Sequence, residues 1–129
     1  MEGLSDFERA VVDKLLAGDH PTLVRLREQA ERASVKSRKL TGAGFYIDFE
    51  LPPHVPSLVT ARPDFEVGDV YALIDGLEGD AGFQLFIRRG RLDFFEGYGF
   101  ASSWPRRIRG YDLRYVREPR ELDLPDTQT

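Results

Sequence analysis

The spacing of apolar residues changes once along this chain, near Ser34, and that change restricts the fold to helices followed by strands. Before it, Phe7, Val11, Val12, Leu15 and Leu16 fall on one helical face, and Leu23, Val24, Leu26 and Ala30 on another. After it, Phe45, Ile47, Phe49 and Leu51 alternate with Tyr46, Asp48 and Glu50, the two-residue period of a half-buried strand. The punctuation agrees with the period. Ser5-Asp6-Phe7-Glu8 has the form of a capping box, and Gly18 supplies a left-handed residue to end the first helix. His20-Pro21 starts the second helix, which runs to about Ala33, because Pro suits the first helical position. The two form an αα-hairpin.

Pro52, Pro53, Pro56 and Pro63 remove backbone donors and make residues 52–64 a loop. Further strands are expected over Asp69–Asp75, Phe83–Arg88, Arg91–Glu96 and Tyr111–Arg117, with Val35–Leu40 as an additional, poorly amphipathic one. Phe83, Leu85, Phe86 and Ile87 are apolar on both faces, which marks a central strand. Gly90 sits at the tight turn that follows it. The expected fold is α+β: an N-terminal helical hairpin packed on a curved antiparallel sheet of five or six strands, connected as a meander. A single domain over residues 1–120 accounts for these elements, and residues 121–129 read as a flexible acidic tail.

Composition excludes whole classes of chemistry. Among 129 residues there is no Cys and there are only two His, so thiol nucleophiles, disulfides and thiolate or His-rich metal sites are ruled out within one chain. No cofactor and no transition metal are expected. No apolar run approaches the roughly 18 residues that span a bilayer, and the acidic start lacks a signal-peptide pattern, so a cytoplasmic location away from membranes is expected. Charge falls in blocks: +1 over residues 1–40, −7 over 41–87, +5 over 88–120 and −3 over 121–129. Cross-strand pairing of acids with bases explains such blocks without a partner, whereas long-range steering of a partner would use them.

The candidate sites are few. Thr41-Gly42-Ala43-Gly44-Phe45 precedes a strand rather than a helix, so it reads as a hairpin turn and not a phosphate cradle. Asp48, Glu50, Asp69, Asp75, Glu78 and Asp80 could ligate a hard cation only if neighbouring strands gathered them, and solvation alone also accounts for them. Ser102-Ser103 lies outside any nucleophile elbow. His20 is placed at a helix N-terminus, and His54 is a lone imidazole between prolines. No catalytic residue is assigned. Tyr98, Phe100, Trp104, Arg106 and Arg107 remain as a binding surface, since Arg beside exposed aromatics is the composition of protein contact surfaces. The overall negative charge of −4 and the lack of a recognised module argue against nucleic acid.

Ser5–Glu8, Thr41–Phe45 and Gly90–Tyr98, the last with the pattern GRLxxxEGY, resemble a group of small bacterial proteins of unknown function. That resemblance spans most of the chain, implies a single bacterial domain and carries no activity with it. The function expected is a non-enzymatic protein-binding or regulatory module, with an immunity-type protein for a toxin as its specific form. Its partner would be another protein or a second copy. The alternative is a small-molecule-binding or hydrolytic α+β domain with a pocket between sheet and helices, to which Asp48, Glu50 or His54 would contribute.

Overall fold

The structure is a computed structural model that describes residues 1–100 and 104–128. Helix α1 spans Asp6–Leu15 and opens on the capping box: the Ser5 Oγ accepts the Glu8 N–H at 3.1 Å, and the Glu8 Oε1 accepts the Ser5 N–H at 2.8 Å. Helix α2 spans Pro21–Arg32, and the His20 Nδ1 accepts the Thr22 N–H at 3.1 Å. His20 is thereby a cap, its ring filled by the role its position implied.

Among the described residues seven strands follow: β1 Ser34–Leu40, β2 Gly44–Glu50, β3 Phe65–Val67, β4 Val70–Ile74, β5 Asp80–Arg88, β6 Arg91–Gly99 and β7 Tyr111–Tyr115. The expected count of five or six is corrected to seven. The extra one is β3, three residues directly after the proline loop, too short to display alternation. It pairs Phe65–Val67 with Leu85–Ile87, one half of β5, while β4 pairs with Asp80–Gly82 in the other half. A single long strand therefore carries two short neighbours on one side.

All strand pairs are antiparallel, in the order β1-β2-β6-β5-β4-β7. This departs from a simple meander. The proline loop carries the chain past the position beside β2, and the β5–β6 hairpin later brings β6 into it. Pairing of Phe45 with Gly97 and Ile47 with Phe95 puts the apolar residues of β2 and β6 on one face. There Phe45, Ile47, Phe83, Leu85 and Phe95 form a core with Phe7, Val11, Leu15, Leu23 and Leu26 of the helices. Phe83 touches Phe7, Phe45 and Phe95, with ring centroids 5.8, 6.4 and 6.2 Å away.

The opposite, outer face carries a second aromatic row. Tyr46 stacks on Phe94 at 4.8 Å, Phe94 on Phe86 at 4.0 Å, and the Arg88 guanidinium lies 5.1 Å from the Phe86 ring. Phe86, apolar on a strand whose buried residues are Ala81, Phe83, Leu85 and Ile87, is used here and not in the core.

Residues beyond β7 are tied to the body. The Arg120 guanidinium meets both Asp69 oxygens at 2.7 Å, donates to the Leu15 and Ala17 carbonyls at 2.9 and 2.7 Å, and lies 4.3 Å from the Tyr115 ring. Burial lowers its pKa, but the hydrogen bonds and charge of Asp69 outweigh that and raise it. Farther along, the Thr22 hydroxyl donates to the Pro125 carbonyl at 2.6 Å, and the Gln128 N–H to the Val59 carbonyl at 2.8 Å. These contacts with α2 and the proline loop are made from within residues 121–129, the segment read as a flexible acidic tail. Arg120→Met is expected to lower stability by about 2 kcal/mol, because it leaves a part-buried carboxylate and two helix-end carbonyls without their donor. Denaturant melts check this, and an unchanged midpoint would show that the contacts contribute nothing.

Candidate functional site

The conspicuous sequence pattern, Gly90 to Tyr98, is accounted for by architecture. Gly90 has φ +71°, and a Cβ there would lie 2.8 Å from the Leu58 carbonyl oxygen. Arg91 donates to the carbonyls of Val55 at 2.5 Å and Pro52 at 2.9 Å and to the Ser57 Oγ at 3.2 Å, so it fastens the proline loop. The Leu92 N–H donates to the Gln29 Oε1 at 2.9 Å, while the Gln29 Nε2 donates to the carbonyls of Gly90 and Pro56 at 2.9 and 3.1 Å. One buried amide of α2 therefore joins helix, loop and hairpin. At Gly97 a Cβ would come within 2.3 Å of the Phe45 ring, and at Gly44 within 1.8 Å of the Gly97 carbonyl oxygen. The Thr41–Phe45 glycines form the β1–β2 turn, closed by the Thr41 N–H donating to the Gly44 carbonyl at 3.0 Å.

The five residues read as a binding surface are divided by the sheet. Tyr98 pairs with Gly82 and Gly44 and points to the outer face, where its ring meets Phe100 at 5.5 Å; Phe100 is 76% exposed. Trp104 turns the other way and packs edge-on against core residue Phe45 at 5.6 Å, while its backbone N–H donates to the Gly42 carbonyl at 2.8 Å. Trp104, Arg106 and Arg107 then line a surface groove of about 930 Å³. Its other walls include Leu4 and Phe7 from the N-terminal segment and α1, and Arg38 and Leu40 from β1.

Charge in this groove is uneven, with Asp6 and Glu8 set against Arg38, Arg106 and Arg107. Arg38 is engaged by Glu8, which also completes the capping box, and it donates to the Gly3 carbonyl at 2.9 Å. Arg106 and Arg107 are exposed and enter no ion pair among the described residues. Leu40, at 69% exposed, presents an isobutyl group beside them. Sequence reading missed Leu4, Arg38 and Leu40 because the groove gathers them from segments far apart in the chain. The exposed Leu40 at the end of a strand rich in Lys and Arg was the available signal.

Groups proposed for catalysis or metal binding do not converge. Asp48 accepts from the Ser37 hydroxyl at 2.7 Å on the outer face, and Glu50 is exposed at the end of β2. The His54 Nε2 lies 3.2 Å from Arg32 at the rim of a separate opening of about 520 Å³ between α2 and the proline loop. Asp69 is held by Arg120, and Asp75 and Asp80 line an opening that also contains Asp112. Among the described residues no three His, Asp or Glu side chains are grouped to hold a metal ion. Ser102 and Ser103 lie outside the described residues. Burial, then the charges of Asp48, Asp93 and Glu96, raises the pKa of Tyr46 on the outer face. Among the described residues no helix is long and apolar enough to cross a membrane.

No family model, curated protein or solved structure matches the chain.

Proposed function

We propose that this chain is a non-enzymatic cytosolic protein-binding module with a regulatory or neutralising role, its helical hairpin and curved sheet serving as the scaffold. The groove beside Trp104 receives an acidic segment of the partner protein. The observation that carries this reading is the pairing of Arg106 and Arg107, free of ion pairs among the described residues, with the apolar surface of Trp104, Leu4 and Leu40. Guanidinium groups next to an aromatic anchor suit carboxylate recognition and are frequent at energetically dominant interface positions. Tyr98 and Phe100 form a separate aromatic contact in this reading. The alternative, a hydrolytic or small-molecule-binding domain, is weakened because the opening that His54 lines includes neither Asp48 nor Glu50 in its walls.

Exposed Arg side chains usually change stability by less than about 0.5 kcal/mol when replaced, whereas Arg at an interface centre can contribute about 2 kcal/mol or more to binding. The double variant Arg106→Ala, Arg107→Ala is therefore expected to melt like the parent chain. Its affinity for a partner captured by the parent and then purified should fall by roughly 30-fold or more. Equal affinity of variant and parent would place the contact surface elsewhere, and loss of folding would make these arginines structural.

A further inference from the structure

We infer that the open edge of β1 takes an extended acidic segment of the partner as an added antiparallel or parallel strand, with its side chains entering the Trp104 groove. This rests on the protein-binding reading above and specifies the form of the bound segment. β1 pairs with β2 along one side, and on its other side the described residues supply a neighbour only at its start. There Glu2 bridges Ser34, and the Val35 N–H donates to the Glu2 carbonyl at 3.0 Å. Beyond Val35 the N-terminal segment leaves the edge and climbs into α1, and the groove begins where it departs, at Gly3 and Leu4.

Backbone direction along this edge follows from the turn. Because the Thr41 N–H donates to Gly44, alternation in an antiparallel pair directs the Lys39 and Ser37 groups toward β2 and those of Leu40 and Arg38 outward. These outward groups are on exposed residues. A strand laid against them would hydrogen-bond to the main chain while alternate side chains faced the groove.

Charge selects the occupant. β1 carries Lys36 and Lys39 and no acid of its own, Arg38 being paired with Glu8, so pairing β1 with β1 of a second copy would set like charges against one another. An acidic strand whose carboxylates turn into the groove would instead meet Arg106 and Arg107, which outnumber the exposed Asp6 there, while Lys39 lies on the opposite face beside Tyr46. The register shift between Val35 and Ser37 interrupts the regular edge near the point where the N-terminal segment departs, which confines new pairing to the Ser37–Leu40 end.

The test uses the full chain and an end-capped peptide of about ten residues alternating Glu and Val, with a Lys-Val peptide as the control. Trp104 is the single Trp of the chain, so its emission reports occupancy of the groove. Binding of the Glu-Val peptide should shift that emission and slow amide exchange at Arg38 and Leu40 by at least about tenfold. Leu40→Pro, which removes an outward N–H at an edge position that tolerates Pro, should bind about tenfold more weakly than Leu40→Ala. A shift in Trp104 emission without slowed exchange would overturn strand addition while leaving groove recognition standing. Failure of the Glu-Val peptide to bind, equal binding of the Lys-Val peptide, or slowed exchange caused by self-association would each overturn the inference. The protein-binding reading would then be judged by the arginine double variant.

Discussion

Replacing Phe83 by Ala is expected to lower the free energy of unfolding by roughly 3 to 5 kcal/mol, the range for deleting a buried aromatic ring. Phe83 has no exposed surface and sits in the central strand β5 among Phe7, Phe45 and Phe95. Its removal takes away transfer energy and leaves a cavity that rings from three different elements cannot all move to fill. Urea melts followed by far-ultraviolet dichroism measure this directly. A loss below about 1 kcal/mol would mean that the core does not depend on contact between α1 and the sheet.

The second large effect concerns a polar residue. Gln29→Leu keeps the size and helix preference of the side chain but removes the acceptor for the Leu92 N–H and the donor to the Gly90 and Pro56 carbonyls. The Gly90 carbonyl keeps the Leu58 N–H, at 2.8 Å, so the principal orphan is the buried Leu92 amide. A buried unsatisfied amide together with two lost bonds gives an expected destabilisation of about 3 kcal/mol. Amide exchange provides a second readout, with Leu58 and Leu92 losing protection before the rest of the sheet. A neutral effect would show that Arg91 and the backbone bonds of Gly90 to Leu58 and Pro63 hold the proline loop to the β5–β6 hairpin without Gln29.

These two residues also separate what the chain announces locally from what it does not. Phe83 lies in a run of apolar residues that reads as a central strand from its neighbours alone, and the structure places β5 in the interior of the sheet. The capping box at Ser5 and the Pro21 helix start are legible for the same reason: each signal operates within a few residues. Gln29 carries no such signal. It falls between Leu26 and Ala30 as a polar residue on a helix, and its role appears only when Gly90 and Leu92, about sixty positions away, fold against it.

Strand order was hidden for a related reason. Alternation in Phe45–Leu51 fixes which face that strand buries, and the apolar run Phe83–Ile87 marks an interior strand, but nothing in either segment states that β6 will lie between them. The candidate surface divides along the same line. Tyr98 and Trp104 are near in sequence, yet the pleat turns Tyr98 to the outer face while the chain after β6 brings Trp104 back onto Phe45. Arg106 and Arg107, read as a contact pair from their place after Trp104-Pro105, do share one groove with Trp104.

Recognition of an acidic partner segment by this groove, as proposed, is measured most directly by Trp104 emission during titration with the purified partner at several salt concentrations. The expected result is a spectral change that saturates at one partner per chain, weakens as salt screens the Arg106 and Arg107 charges, and disappears in the arginine double variant at the same partner concentration. Tight binding that leaves Trp104 emission unchanged and is indifferent to salt would contradict it.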